Sequence, residues 1–325
     1  MTSIFDPELF RTVGTFLGVP QTWDLGGAKA AIVGLPFDSG RHARRVGARN
    51  GPAAIRAMST DMVRRYRPEV AAPFDPVATL GLVDCGDVPL RPAEVDDAVL
   101  RGRKAVERIV AAGAIPIGLG GDGVTSLPVM MAVAQRHPGM CVLHFDSHTD
   151  AYPDPEGGNA LALGPATTFA VAADRGVVDA RRSLHVGMRG TTYVPGVFAY
   201  TEGFGYAVVT LDAARDLGPD ALAAEMRERA GGRPVYVCFD MDVFDPSVAP
   251  GVFTPAWGGF TAAEGLGFVR ALAGLDVVGF DVNTTTPDYD VQGMTAWLAA
   301  TVVYEFLWLI AAKLGLAPSV PGARR

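Results

Sequence analysis

Short apolar, β-branched runs alternate with longer stretches of helical periodicity along nearly the whole chain. Ala30 to Pro36 (AAIVGLP) is the first strand-like run. Gly51-Pro52-Ala53-Ala54-Ile55-Arg56 opens a helix, with proline near the first turn, where its missing N–H has no partner to lose. Gly81 to Val88 predicts a strand ending in turn residues, and Val95 to Ala112 a helix. Ala114 to Gly118 predicts a short strand entering Gly120-Gly121-Asp122-Gly123, followed by a helix from Leu127 to Arg136. Met140 to Phe145, Ser183 to Gly187, Ala207 to Leu211, Val235 to Phe239 and Asp276 to Asn283 predict further strands, most of them separated by helices. Continuous apolar strands of this kind belong to a sheet buried on both faces. Crossover helices cover those faces. The expectation is an α/β fold, three-layer αβα with a mostly parallel central sheet. No linker, repeat or low-complexity tract interrupts residues 1–325, so one domain is expected.

The late run Met294 to Leu314 is apolar nearly all round, with Trp297, Val302, Val303, Phe306, Leu307, Trp308 and Ile310, and is interrupted by Glu305 and Lys313. Such a helix has to be buried, inside the fold or between subunits. No uninterrupted apolar run reaches the roughly 20 residues of a membrane span, so no membrane partner is expected. Met1 to Arg11 carries acids and no long apolar core, unlike a secretory signal. The net charge of -7 argues against nucleic acid as a partner. Cys85, Cys141 and Cys238 all lie in apolar strand-like runs and read as buried free thiols of a reducing, cytoplasmic compartment.

Two acidic clusters carry the candidate chemistry. Asp146-Ser147-His148-Thr149-Asp150 follows one buried strand and Asp240-Met241-Asp242 follows another. A strand places alternate residues on one side, so Asp146, His148 and Asp150 can converge, as can Asp240 and Asp242. A single strand-end aspartate commonly caps a turn or a helix. Five ligand-type side chains in two such clusters point instead to a binuclear metal site. Carboxylates with imidazole suit a divalent ion such as Mn, Ni or Zn, and a bridged pair of ions can deprotonate water near neutral pH. Both clusters fall at the carboxyl ends of strands, where parallel sheets bind their ligands.

These stretches resemble the ureohydrolase family of arginase, agmatinase and guanidinobutyrase. Gly34-Leu35-Pro36-Phe37-Asp38-Ser39-Gly40 and Gly47-Ala48-Arg49-Asn50-Gly51-Pro52 resemble its N-terminal agmatinase signature. Asp84-Cys85-Gly86-Asp87 and Val186-Gly187-Met188-Arg189-Gly190 resemble its middle strands. Phe145 to Asp150 and Phe239 to Pro246 resemble two of its three metal motifs, and Ala249-Pro250-Gly251 to Thr254-Pro255 continues the pattern. The resemblance implies an arginase-like fold and hydrolysis of a guanidino C–N bond to urea and an amine. It also implies a trimeric or hexameric assembly, homo- or hetero-oligomeric. The implied metal ligands are Asp146, His148, Asp150, Asp240 and Asp242. Asp146 and Asp240 would bridge, with His148 and Asp242 on one ion and Asp150, the expected catalytic residue, on the other. The implied cofactor is a divalent metal, Mn or alternatively Ni, as one or two ions, or none if the site is degenerate.

Three departures qualify this. The family's third metal motif is Gly-Gly-Asp-His, whose histidine binds one ion; here Gly123 stands in its place, beside Asp122 as a supporting residue. Pro165 occupies the position of a second family histidine. Thr284 replaces a glutamate that holds the guanidinium. Thr284 and Pro165 are therefore the expected substrate-binding positions, with altered chemistry. Among the other histidines, His144 can share the face of Asp146 but lies deeper, where packing or hydrogen bonding is expected. His185 is mid-strand, His137 is expected to cap a helix end, and His42 lies in an arginine-rich loop. Two readings remain. One is an active amidinohydrolase of the agmatinase branch acting on a small guanidino compound. The other is a partner subunit of a heteromeric hydrolase, as in metformin hydrolase, whose paralogous chain carries the complete site. The loops His42 to Asn50 and Tyr152 to Pro165 are expected to set selectivity. Asp154 and Glu156 suit a cationic tail, the arginines suit a carboxylate tail, and Pro165 suits an alkylated guanidine.

Overall fold

The computed structural model describes residues 14–42, 45–70, 73–153 and 162–318. Its strands are β1 (Ala30–Gly34), β2 (Val83–Asp87), β3 (Ile115–Leu119), β4 (Cys141–Phe145), β5 (Leu184–Met188), β6 (Ala207–Thr210), β7 (Val235–Asp240) and β8 (Val277–Asn283). The helices are α1 (Gly51–Met62), α2 (Pro76–Leu80), α3 (Val95–Ala111), α4 (Ser126–Ala134), α5 (Thr168–Asp174), α6 (Val197–Gly203), α7 (Leu211–Ala230), α8 (Ala262–Ala271) and α9 (Met294–Lys313). The strands form one sheet in the order β2-β1-β3-β8-β7-β4-β5-β6. Every neighbouring pair is parallel, so the mostly parallel expectation becomes wholly parallel among the described strands.

Successive strand residues feed two cores. Ala30 and Ile32 of β1 join a cluster with residues of α1, α2, α7, α8 and α9. Ala31 and Val33 join one with residues of α3, α4 and α5. This division is why the strands are apolar throughout: each face carries its own helical layer. Boundaries shift by a residue or two for local reasons. β6 stops at Thr210, whose hydroxyl accepts from the Ala213 N–H and starts α7. α4 ends at Ala134, so His137 lies beyond its cap position, which Gln135 takes.

Helix α9 is long and apolar enough to cross a membrane by length and composition, and most of it is buried in this fold. It packs on α1, α2, α8 and β8, so the chain itself covers its apolar face without calling on a second subunit. Its one buried acid, Glu305, is paired with Arg67 and Arg270, and the Arg67 guanidinium lies 4.2 Å from the Trp308 ring centre. The three cysteines are buried and unpaired.

Arg56 ties α1 to the sheet. It is buried, donating through Nε and Nη2 to both oxygens of Asp84 at 2.8 and 2.9 Å and also bonding Asp87. Asp84 further accepts the backbone N–H groups of Phe16 and Gly86. Removing one partner of a buried pair strands the other charge. Arg56→Leu is therefore expected to lower stability by about 3–5 kcal/mol in urea denaturation; a loss under about 1 kcal/mol would show that Asp84 is satisfied without it.

Candidate metal centre

Strands β4 and β7 lie side by side in register, with Phe145 opposite Phe239. Asp146 and Asp240 follow that pair and emerge together at the carboxyl edge of the sheet. On the other side of β4, Gly187 of β5 has φ +101°, and an added Cβ would sit 2.8 Å from the Asp146 carbonyl oxygen. A side chain there would push β5 away from the site.

Each aspartate turns the chain as a capping residue does and keeps chemistry to spare. Asp146 Oδ1 accepts the His148 N–H at 2.6 Å, and Asp240 Oδ1 accepts the Asp242 N–H at 2.8 Å. Turn formation and metal binding are thus compatible readings of the same residues. The Asp146 carboxylate has a second oxygen, Oδ2, that is buried with no hydrogen-bond partner.

The ligand-type atoms gather in two overlapping groups, each with all its atoms within 4.8 Å of one another: Asp146, His148 and Asp242, and His144, Asp146 and Asp150. Asp146 is common to both. His148 Nδ1 lies 3.1 Å from Asp242 Oδ2 and 3.3 Å from Asp146 Oδ1. Asp240 stands outside these two groups. Its Oδ1 also receives the hydroxyl of Thr284, so Thr284, placed by the sequence at a substrate position, supports a carboxylate of the site. His144, expected to pack or hydrogen-bond, does both, against Phe169 and His185, and also comes inside the second group.

Two further residues hold the site and were not singled out from the sequence. Ser147 donates its N–H and hydroxyl to Asp242 Oδ1 at 3.0 and 2.7 Å. Arg189 donates to the carbonyl oxygens of Asp242, Phe244 and Ala256 at 2.8, 3.2 and 2.8 Å, pinning the chain that leaves β7. Its place in a family-like motif was the only signal for it. Asp122 is buried, accepting the Ser39 N–H at 2.7 Å.

The electrostatics ask for a cation. Burial, then mutual repulsion with neighbouring aspartates, raises Asp146, Asp150 and Asp240 above the usual carboxylate range. Burial opposes the charge of Asp242 too, but adjacent His148 outweighs it and holds Asp242 low. His148 is raised in turn: burial works against its charge, and Asp242 and Asp146 overcome this. A buried carboxylate with one unpartnered oxygen, belonging to two groups of oxygen and nitrogen donors, fits a divalent ion.

At the position of the absent family imidazole, Asp150 stands close to the backbone. A Cβ on Gly123 would lie 2.8 Å from Asp150 Oδ2 and 3.5 Å from Pro165 Cβ. Two of the three departures thus face each other. A cavity of about 410 Å³ adjoins the site, lined by His148, Asp150, Asp240, Asp242 and Thr284, by Gly123, Pro165 and Phe253, and by Arg41 and His42. Asp154 and Glu156 lie outside the described residues.

Behind β7, Asp281 of β8 is fully buried and accepts from Tyr236, Ser126 (2.7 Å) and the Asn283 amide (3.0 Å). Burial pushes its carboxyl from 3.8 to about 6 against those donors. The native state therefore holds a proton that the unfolded chain has released, and stability falls as pH rises from about 4 through 6. Asp281→Asn is expected to remove up to roughly 2–3 kcal/mol of that decline, read as the difference between wild-type and variant urea midpoints across this range. Metal gives a second test. Manganese added to chelator-treated protein at a hundredfold excess over Kd is expected to add about 2.7 kcal/mol of stability, and Asp146→Asn to abolish most of that gain in thermal melts. Unchanged melting of the wild type would mean that these groups hold no Mn.

Against known proteins, the Arginase family model matches residues 28–308. The chain is 36% identical to guanidinopropionase of Pseudomonas aeruginosa over 302 residues, covering 93% of each. It is 38% identical to the mitochondrial agmatinase of Gallus gallus, covering 92% of this chain and 87% of that one. The solved structure of proclavaminate amidino hydrolase from Streptomyces clavuligerus superposes with a TM-score of 0.86 at 33% identity, covering 93% of this chain and 98% of the other. The fold, the carboxyl-edge site and these matches agree: the chain belongs to the arginase family.

Proposed function

We propose that this protein hydrolyses a C–N bond of a small guanidino compound, giving urea and an amine, with divalent metal held by Asp146, His148, Asp150, Asp240 and Asp242. The observation that carries this reading is the pair of ligand groups joined through Asp146 and opening on the 410 Å³ cavity. When bound, divalent ions supply the Lewis acidity that makes water nucleophilic near neutral pH. Asp150, Asp240 and Asp242 line the cavity beside Thr284, whose hydroxyl offers no charge to a guanidinium. His148, held between Asp146 and Asp242, fixes both carboxylates in place. Relatives named for guanidinopropionate and for agmatine differ in the charge of the tail. Exposed Arg41 beside the cavity favours a carboxylate tail, while the wall of Gly123, Ala162 and Pro165 leaves room for alkyl groups on the guanidine.

A second reading has its own observation. Asp150 Oδ2 would crowd even a Cβ at Gly123, and Pro165 stands opposite, a departure that suits a subunit whose paralogue does the chemistry. One assay separates the two. Purified chain loaded with Mn or Ni is offered agmatine, guanidinobutyrate, guanidinopropionate and N,N-dimethylguanidine, and urea is measured. Urea release at roughly 1 s⁻¹ or faster is expected, lost on Asp242→Ala. Activity that emerges only with a paralogous subunit would favour the partner reading.

A further inference from the structure

We propose that His144 Nε2 joins Asp146 and Asp150 as a ligand of the first cation, replacing the imidazole that Gly123 lacks, and that His185 is the positioning residue that turns its ring. The proposal rests on the metal reading above and not on the identity of the substrate.

His144 Nε2 lies 2.9 Å from Asp146 Oδ2, yet the alignment is not that of a hydrogen bond, and Oδ2 has no hydrogen-bond partner. Two ligand-type atoms that approach this closely without a hydrogen bond offer a place for a positive charge between them, a proton or a metal ion. Ligands on one ion at about 2.1 Å sit roughly 3 Å apart when their bonds are near perpendicular. His144, Asp146 and Asp150 all fall within the 4.8 Å limit of such a group.

The other ring nitrogen explains the orientation. His144 Nδ1 and His185 Nδ1 lie 2.8 Å apart, so one of them donates a proton to the other. With the proton on His144 Nδ1, its Nε2 carries a free lone pair beside Asp146. Ligating histidines commonly anchor their second nitrogen in this way. Aromatic neighbours hold the pair in place. The His144 ring packs 4.1 Å from Phe169, and His185 packs 4.5 Å from Tyr206. The Tyr206 hydroxyl in turn bonds the Phe169 carbonyl at 3.0 Å. The substitution also makes spatial sense. Because Asp150 Oδ2 occupies the side toward Gly123, a replacement donor has to approach from the opposite, sheet side.

The test counts ions and nitrogens on the full chain. Metal-free protein is titrated with Mn²⁺ by calorimetry, and the ¹⁴N couplings of the bound ions are read by pulsed electron paramagnetic resonance. Two ions and two distinct imidazole couplings are expected for the wild type. His144→Ala is expected to lose one ion and one coupling. His185→Leu is expected to weaken that ion about tenfold while sparing the His148 ion. The wild-type spectrum needs no variant, so it decides even if H144A does not fold. A single imidazole coupling, or no binding, overturns the proposal. Two couplings without urea release would uphold the ligand assignment and sink the proposed activity instead.

Discussion

The structure depends on one constraint: several carboxylates must share a dry space at the ends of adjacent parallel strands. Like charges in a buried site repel strongly, and water is not there to screen them. The chain answers by pairing. His148 sits between Asp146 and Asp242, Thr284 bonds Asp240, and two backbone turns use one oxygen of each strand-end aspartate. What these contacts leave is directed. Asp146 Oδ2 has no hydrogen bond, and Asp150 faces Gly123. The unmet demand for positive charge is therefore localised on the side of the missing imidazole.

The scaffold is rigid where the site needs it to be. β7 pairs with β4 on one side and β8 on the other, and the aspartate-bearing ends inherit that register. Arg189 adds a clamp made on backbone carbonyls, one on Gly187 of β5 and the others on the segment leaving β7. Pre-organisation of this kind holds repelling ligands together before any cation arrives, so that less of the binding energy goes into ordering the loop.

Much of this was legible in the sequence. Alternating apolar runs gave away the βαβ order because the six inner strands are buried on both faces, with only the edge strands β2 and β6 more open. The aspartate clusters stood out because period 2 is a local property. What escaped depends on contacts between distant segments. Whether His144 packs or points into the site is decided by His185 on a neighbouring strand, and no local pattern encodes that pairing. Thr284 could be recognised as a lost glutamate, but its bond to Asp240 required the register of β7 with β8. Strand ends slipped by a residue where a cap decided the boundary, as Thr210 does for α7.

The departures from the family pattern also change meaning once they are placed in space. In sequence, Gly123, Pro165 and Thr284 are three separate losses. In the fold, Gly123 and Pro165 face each other beside Asp150, while Thr284 bonds the other strand's aspartate. A glycine at 123 gives the Asp150 carboxylate the room it occupies, and proline at 165 closes the wall behind it. Isolated decay would leave orphaned polar groups around a hole, each costing about 1–3 kcal/mol. Here Asp150 Oδ2 stands beside Gly123, and two buried polar atoms without hydrogen-bond partners, Asp146 Oδ2 and His185 Nε2, flank His144. The same rearrangement makes the adjoining cavity less polar on one side and leaves the second ligand group, around His148 and Asp242, untouched. On the proposed reading, the substrate wall and one half of the metal site change together, because Gly123 and Pro165 adjoin both.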